Sequence, residues 1–222
     1  MSLIEWAQSG IKRKVLECIQ QGENVNTKDD DGWTALMKAS LWIEQPEMIK
    51  LLLENGADVN SKSDEWLFTA LMVASRWRNP EMAKLLLEKG ADVEAKTIKG
   101  LTALMFASRS GGAKVVKLLL ENGADVYSKS NDGCTALMFC LKSLVNCNNT
   151  EIVKLLLENG SDLEANDDTG ATVLMMMMSC RDETVKVFKE EIERRKQLKM
   201  ARYILLRHTN FHLAQEIAVR MK

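Results

Sequence analysis

Apolar residues recur along the chain in two alternating patterns, and each pattern predicts a short helix. In the first, a threonine precedes Ala-Leu-Met-x-Ala, so that leucine and alanine lie three residues apart, as Leu36 and Ala39 do. This spacing gives a helix a narrow apolar face. The second pattern, Lys-Leu-Leu-Leu-Glu, is more apolar and predicts a more buried helix. It ends near a glycine such as Gly56, a residue that readily adopts the left-handed conformation that closes a helix.

The two patterns return with a nearly constant period. The threonines of the first pattern are spaced by 35, 33, 33 and 37 residues: Thr34, Thr69, Thr102, Thr135 and Thr172. The string KLLLENGADVN at 50–60 returns in closely similar form at 84–94, 117–127 and 154–164. A unit this small cannot bury its apolar face alone, so successive units are expected to stack into a solenoid.

These strings resemble the ankyrin repeat family, from about residue 1 to about residue 188. Gly-x-Thr-x-Leu, the Lys-Leu-Leu-Leu helix and Gly-Ala-Asp-Val-Asn match the family pattern at successive copies. The resemblance implies an all-α solenoid of stacked antiparallel helix pairs, with β-turn or hairpin-like loops that project beside a concave groove. It divides the chain into an N-terminal capping half-repeat with a truncated second helix (1–28), repeats 1 to 4 (29–62, 63–96, 97–129 and 130–166), a degenerate repeat 5 (167–188) and basic C-terminal capping helices (189–222).

The sequence departs from the family pattern in two places. The family has Thr-Pro-Leu-His, whereas this chain has Thr-Ala-Leu-Met or Thr-Val-Leu-Met, with methionine in the histidine position five times: Met37, Met72, Met105, Met138 and Met175. We expect these methionines to replace hydrogen bonding by adaptable apolar packing. The loop of repeat 2, 64–68, has one extra residue and lacks the turn glycine, so we expect it to differ from the other loops.

Composition limits the classes of function. The 222 residues carry 30 basic and 31 acidic side chains, and a net charge near zero does not favour binding to nucleic acid or an acidic membrane. The five cysteines form no Cys-x-x-Cys pair: Cys18, Cys134, Cys140, Cys147 and Cys180. We interpret them as reduced thiols that mostly pack as small apolar side chains. With no signal-like N-terminus, the sequence predicts a cytoplasmic protein, and it leaves open secretion as a host-directed effector.

The sequence carries none of the common enzyme motifs. The sequence has no Gly-x-Ser-x-Gly elbow, phosphate-binding loop or His-Glu-x-x-His helix. Carboxylates such as Glu88 and Asp92 recur in successive repeats, which favours a scaffold role, since an active site would occur once. His208 and His212 are four residues apart, but no third ligand accompanies them, and a surface pair is the simpler interpretation. We therefore predict no catalytic residue, metal site, cofactor or small-molecule substrate.

Aromatic residues concentrate in repeats 1 and 2. Five of them precede the repeat threonine or follow the first helix: Trp33, Trp42, Trp66, Phe68 and Trp77. Exposed tryptophans are enriched among the residues that dominate protein–protein binding. Two interpretations remain open, a partner-binding cluster on the groove side or packing of each ring against a neighbouring loop.

Two basic rows accompany the aromatic residues. One precedes each loop, with Lys28, Lys62, Lys96 and Lys129, and the other follows the first helix, with Arg76, Arg109 and Lys142. Neighbouring acidic residues such as Asp64 make simple charge pairing an alternative to partner binding. From these rows and the tryptophans we predict a monomeric protein–protein interaction module, or scaffold, that binds an acidic, aromatic-containing segment through the concave face and loops of repeats 1–3.

Two further segments offer alternatives. Residues 192–207 are basic, with Arg194, Arg195, Lys199 and Arg202 among their cations, so these C-terminal helices could contact nucleic acid or a membrane. The Asn-rich insertion at 144–150 is expected to extend a surface loop. A third interpretation is that the repeats form part of a larger effector or scaffold protein.

Overall fold

The computed structural model describes residues 2–41, 46–143, 150–177 and 183–198. Within these residues the chain forms twelve helices and no strand. The helices are α1 (Leu3–Gln8), α2 (Lys12–Gln20), α3 (Ala35–Ala39), α4 (Pro46–Glu54), α5 (Ala70–Arg76), α6 (Pro80–Glu88), α7 (Ala103–Ser110), α8 (Ala113–Glu121), α9 (Ala136–Lys142), α10 (Thr150–Glu158), α11 (Val173–Met177) and α12 (183–198). The expected all-α fold of short helix pairs is confirmed.

The helices form two stacked rows. The first helices of successive pairs pack on one another in the order α1, α3, α5, α7, α9 and α11, and the second helices α4, α6, α8 and α10 form a parallel row. One continuous apolar core runs between the rows, with leucines such as Leu52, Leu86 and Leu119 fully buried. We call the first row the inner helices and the second row the outer helices. Each unit therefore buries its apolar surface against its neighbours, as a solenoid requires.

The repeat threonines cap the inner helices, as the sequence predicts. The Thr34, Thr69, Thr102 and Thr135 hydroxyl groups each accept a hydrogen bond from the backbone N–H of the methionine three residues later. Thr172 does the same for Met175. A helix start leaves its first N–H groups without intrahelical partners, so these hydroxyls, buried in all but Thr172, supply the acceptor that each helix start needs.

The methionine ladder is confirmed at four positions and wrong at the fifth. Met37, Met72, Met105 and Met138 are at most 1% exposed, since the inner helix of the following repeat covers each of them. Met175, in contrast, is 61% exposed. It belongs to the last inner helix, α11, and the described residues place no further inner helix against it.

The N-terminal unit differs from the expectation of a truncated second helix. Its outer helix α2 has nine residues, as many as α4, α6 and α8. Its inner helix α1 begins at a capping box, in which the Ser2 hydroxyl accepts from the Glu5 N–H and the Glu5 carboxylate accepts from the Ser2 N–H. This serine box replaces the threonine signature, which is why the repeat pattern did not reveal the first helix.

The loop of repeat 2 has a different turn, as expected from its extra residue. In the other four loops the turn glycine, for example Gly100, donates its N–H to the carbonyl three residues earlier. In repeat 2 the equivalent residue is Leu67, which donates to Ser63 four residues earlier. Leu67 has a φ of 57°, in the left-handed region that a side chain with a Cβ occupies at a cost. Antiparallel bridges at Lys28–Thr34 and Asn166–Thr172 give the first and last loops a hairpin-like character.

Side chains in the loops after the outer helices link one repeat to the next. The Asn26 side chain accepts a hydrogen bond from the Asp58 N–H and donates to the Gly56 carbonyl. Asn60 makes the equivalent pair of bonds to Asp92 and Gly90. Glu94 takes over as acceptor for Asp125. These bonds satisfy backbone groups that the helix ends leave free, and they fix the spacing of the stack.

Helix α12 takes the outer-helix place of repeat 5 and continues well beyond it. Glu191 is buried and holds both neighbouring arginines, at 2.7 Å from Arg194 Nε and 2.7 Å from Arg195 Nε. The hydrogen bonds from Arg194 and Arg195 lower the pKa of the Glu191 carboxyl, although its burial opposes them. Arg195 also donates to the carbonyls of Ser161 and Leu157. In the described part of the chain no helix is both long and apolar enough to span a bilayer.

Candidate protein-binding face

Three aromatic rings join the inner sides of repeats 1, 2 and 3. The ring centroids of Trp33 and Phe68 lie 6.1 Å apart in a stacked arrangement, and those of Phe68 and Phe106 lie 5.4 Å apart. Trp33 and Phe68 immediately precede a repeat threonine, whereas Phe106 lies four residues after one. A side chain that precedes the threonine of one repeat therefore contacts a side chain four residues after the threonine of the next repeat, as Phe68 contacts Phe106. We call Trp33, Phe68 and Phe106 the aromatic row and the surface that carries it the inner-helix face.

Lys38 covers the first ring of the aromatic row. Its ammonium lies 5.4 Å from the centre of a Trp33 ring and 2.9 Å from the Asp29 carboxylate. Burial of Asp29 acts to raise the pKa of its carboxyl, but the hydrogen bonds from Lys38 and from the Trp33 N–H outweigh it, and the pKa is lowered. A cation over an indole face is favourable. Trp33 and Phe68 are thus half-buried and engaged, in agreement with the packing interpretation of these two residues.

Trp66 and Trp77 are exposed and lie at opposite ends of α5. Trp66 belongs to the loop before the Thr69 cap, and Trp77 is the residue that ends the helix. The Lys99 ammonium lies 5.4 Å from the Trp66 ring, while the described residues place no ring or cation against Trp77. The exposed rings of Trp66 and Trp77 are therefore separated by the length of α5. Trp42 lies outside the described residues.

The second basic row contains two free cations and one that is engaged. Arg76 and Arg109 are exposed and have no carboxylate partner in the part of the chain that the structure describes. Lys142, the third member, lies 2.7 Å from the Asp167 carboxylate and 3.2 Å from the Cys134 sulfur. The hydrogen bond to Asp167 raises the pKa of Lys142 despite partial burial. The free positive charge of this row is thus limited to repeats 2 and 3.

The first basic row is divided in the same way. Lys28 pairs with the Asp64 carboxylate of the next loop, and Lys129 donates to the Asn166 carbonyl. Lys62 and Lys96 are exposed, and neither has a partner among the described residues. Contacts with the next loop therefore account for Lys28 and Lys129, whereas Lys62 and Lys96 could contact a partner.

The alternative basic patch is weaker than its sequence implies. Arg194 and Arg195 both bind Glu191, and Arg195 additionally holds α12 to repeat 4 through two carbonyls. Lys199 and Arg202, with His208 and His212, lie outside the described residues. Two of the four cations are therefore occupied in attaching α12, which reduces the charge that they present to an anionic surface.

Sequence reasoning missed Phe106 as part of this face. Phe106 is 7% exposed and completes the aromatic row. The signal was present in the register, because Lys38 and Phe106 both lie four residues after a repeat threonine. Phe139 has the same register in repeat 4 and is half-buried against the core. A scan of this one position across the repeats would have shown a basic residue followed by apolar and aromatic ones.

The cysteines and acidic groups that the structure describes do not form a reactive or metal-binding cluster. Cys18, Cys134 and Cys140 are buried free thiols, which fits their interpretation as small packing residues, and burial raises the pKa of the Cys18 thiol. No group of three or more histidine, cysteine, aspartate and glutamate side chains converges for a metal ion within the described ranges. Cys147, Cys180 and the insertion at 144–149 lie outside them.

Stacked helix pairs, threonine caps and projecting loops define a helical-repeat scaffold. The chain matches the family described as Ankyrin repeats (3 copies) over residues 3–97 and again over 95–167. It belongs to the ankyrin repeat family, whose members are typically non-catalytic and generally act as protein–protein interaction modules. A comparison with curated proteins finds none that matches this chain.

Proposed function

We propose that this chain is a non-catalytic, monomeric interaction module that binds an acidic, aromatic-containing segment of another protein. The binding surface is the concave, inner-helix face of repeats 1–3 together with its loops. One observation carries the proposal: the exposed rings of Trp66 and Trp77 lie on the same repeat as Arg76, an exposed cation that pairs with no carboxylate among the described residues. Tryptophan and arginine are the residue types that most often dominate binding energy at protein interfaces.

The charges select the partner. Arg76 and Arg109 offer planar guanidinium groups, which bind carboxylates through two parallel hydrogen bonds. Lys62 and Lys96 add two further exposed cations on the loop side, and the described part of the chain gives neither a partner. An acidic segment satisfies these groups, whereas a basic one leaves them unpaired. The exposed rings of Trp66 and Trp77 provide surfaces on which an aromatic side chain of the partner packs in an offset or edge-to-face arrangement.

The test begins with affinity purification and mass spectrometry to identify the partner, and continues with the binding segment as a synthetic peptide. Titration calorimetry then compares wild type with Trp77→Ala and Arg76→Ala. We expect each substitution to raise the dissociation constant by at least about fivefold, because loss of a central contact costs roughly 1 kcal/mol or more of binding free energy.

Matched controls separate the binding face from the rest of the surface. Tyr127→Ala removes an exposed aromatic ring that lies beside Gly160 at the end of an outer helix. Lys84→Ala removes an exposed cation from the outer helix α6. Both controls are expected to change affinity by less than about twofold, since isolated surface contacts contribute little. Wild-type affinity in Trp77→Ala and Arg76→Ala, with unchanged helical circular dichroism, would refute the proposal.

A further inference from the structure

The C-terminal end of the stack exposes apolar side chains that every earlier repeat buries. Leu174 and Met175 of α11 are 41% and 61% exposed. The equivalent pairs in repeats 1 to 4 are at most 1% exposed: Leu36 and Met37, Leu71 and Met72, Leu104 and Met105, and Leu137 and Met138. We call Leu174, Met175 and the cavity beside them the end face. Exposed apolar surface that the other repeats bury is a candidate contact surface.

A cavity of about 450 Å³ lies at this end, between the last inter-repeat loop and α12. Leu163, Leu174 and Ile192 supply its apolar wall. Asp162 and Glu164 supply negative charge from the loop, and Arg195 and Lys196 contribute positive charge from α12. The cavity is thus a mixed apolar and charged cradle.

Glu164 lines the cavity and, among the described residues, lacks the inter-repeat hydrogen bond that three of the four earlier residues at its position in the repeat make; Tyr127 is the other exception. It stands at the register position of Asn26, Asn60 and Glu94, whose side chains accept a hydrogen bond from the loop of the next repeat. Among the described residues the Glu164 carboxylate accepts no hydrogen bond. Helix α12 runs continuously from 183 to 198, so no Gly-Ala-Asp loop follows repeat 5 to reach Glu164.

We propose that the occupant of the end face is the chain's own C-terminal segment, residues 199–222. The described part of α12 ends at 198, just after Lys196, which already lines the cavity. The remaining 24 residues reach up to roughly 80 Å when extended, far more than the distance requires. Covalent attachment gives the segment a local concentration on the order of millimolar, which a separate partner must match.

The sequence of this segment is complementary to the end face. Leu213, Ile217 and Met221 recur at intervals of four residues, a spacing that produces one apolar stripe on a helix. The segment carries five basic residues against one acidic residue, Glu216. The apolar stripe matches Leu174 and Met175. The carboxylates of Asp162 and Glu164 can pair with cations of the segment, although Arg195 and Lys196 already supply two positive charges at the cavity.

Hydrogen exchange of the full chain tests the proposal. Ile217→Asp places a charge in the apolar stripe, and Gln215→Asp adds the same charge two residues away, off the stripe. We expect Ile217→Asp to accelerate exchange at the amides of 173–177 by about 5- to 30-fold, the effect of losing 1–2 kcal/mol of protection. Gln215→Asp is expected to leave that exchange unchanged. Reciprocally, Met175→Asp is expected to accelerate exchange within 210–222.

Sedimentation of the same samples distinguishes the other occupants. A monomer whose 173–177 amides respond only to Ile217→Asp supports the proposal. Protection that rises with protein concentration together with a dimer identifies a second copy as the occupant and overturns it. Equal exchange in wild type and Ile217→Asp, without concentration dependence, leaves the end face to a foreign protein and also overturns it. None of these results depends on the face proposed for partner binding.

Discussion

The ammonium nitrogen of Lys142 lies 2.7 Å from Oδ2 of Asp167, so that the inner helix of repeat 4 is tied to the loop of repeat 5. The Asp167 side chain is 3% exposed and also accepts hydrogen bonds from Thr169 and from the Ala171 N–H. The hydrogen bond from Lys142, followed by that from Thr169, holds the pKa of the Asp167 carboxyl well below its usual range. This pairing ends the row of free cations at Arg109.

The ion pair predicts an acid-sensitive contribution to stability. Because the pKa of Asp167 is lower in the folded chain than in the unfolded one, its carboxylate stabilises the fold above the unfolded pKa of about 4. That contribution is lost as the pH falls through the folded value. Asp167→Asn should therefore lower the melting temperature at pH 7, and the difference from wild type should shrink below about pH 4.

Thermal denaturation across pH 2.5–8 checks this prediction, with the exposed neighbour Asp168 as control. Asp168→Asn removes the same charge without removing the bond to Lys142. If the difference in melting temperature between wild type and Asp167→Asn stays constant down to about pH 3, the loss does not come from the ionised carboxylate. A loss that does not depend on pH comes from packing alone.

The threonine caps predict a local cost for removing one hydroxyl. Thr102→Ala leaves the buried Met105 N–H without its acceptor, and we expect the free energy of unfolding to fall by about 1–2 kcal/mol. Thr102→Ser keeps the hydroxyl and should recover most of that loss. Urea denaturation measures both, with exposed Thr27→Ala as the control expected to change stability by less than about 0.5 kcal/mol. Equal losses in the alanine and serine variants would assign the effect to the methyl group.

Arg78 predicts a stabilising substitution. It has a φ of 56°, and in repeat 3 its register position is occupied by Gly111 with a φ of 84°. We expect Arg78→Gly to raise the free energy of unfolding by up to about 1 kcal/mol, because glycine adopts this conformation without the Cβ clash. Arg76→Gly, inside α5, should instead lower it by up to about 1 kcal/mol. Urea denaturation that shows the same sign for both variants would contradict the strain argument.

Alanine substitutions at two glycines distinguish the cost of backbone strain from the cost of steric contact. Gly123 and Gly133 have φ values of 85° and 74°, but only at Gly133 does an added Cβ meet other atoms, with Asp168 Oδ1 2.6 Å away and the Asp168 N 3.0 Å away. Gly123→Ala should cost about 1–2 kcal/mol through conformation alone. Gly133→Ala should cost more, because the loop of repeat 5 must also move. Urea denaturation of both variants measures which one loses more free energy of unfolding. An equal loss in both would show that the loop of repeat 5 moves at no measurable cost.

Local rules made most of the fold predictable. The period of the Thr-Ala-Leu-Met and Lys-Leu-Leu-Leu strings located the helices from α3 to α10, since each is only five to nine residues long and has its own cap or end signal. The N-terminal unit was less visible because Ser2 replaces the threonine signature. Met175 was misjudged because burial depends on the repeat that follows, and the repeat pattern ends there.

The candidate face was predicted less completely than the fold. Sequence register placed Arg76, Arg109 and Lys142 in one row, but it could not show that Asp167 neutralises only Lys142. It grouped Trp66 and Trp77, which the structure separates by the length of α5. Phe106 was overlooked because its ring joins Phe68 from a different register position in the next repeat.

The sequence by itself determined the repeat, its helix boundaries and the residue types available for binding, because these depend on local hydrogen bonding and on a fixed helical period. Only the tertiary structure decided which cations are free, which rings are exposed and where the stack ends uncovered. Those properties depend on side chains that meet across neighbouring repeats, as Lys142 meets Asp167 and Phe68 meets Phe106. Residues at equivalent positions therefore differ in exposure and in charge pairing, because each packs against a different neighbouring repeat.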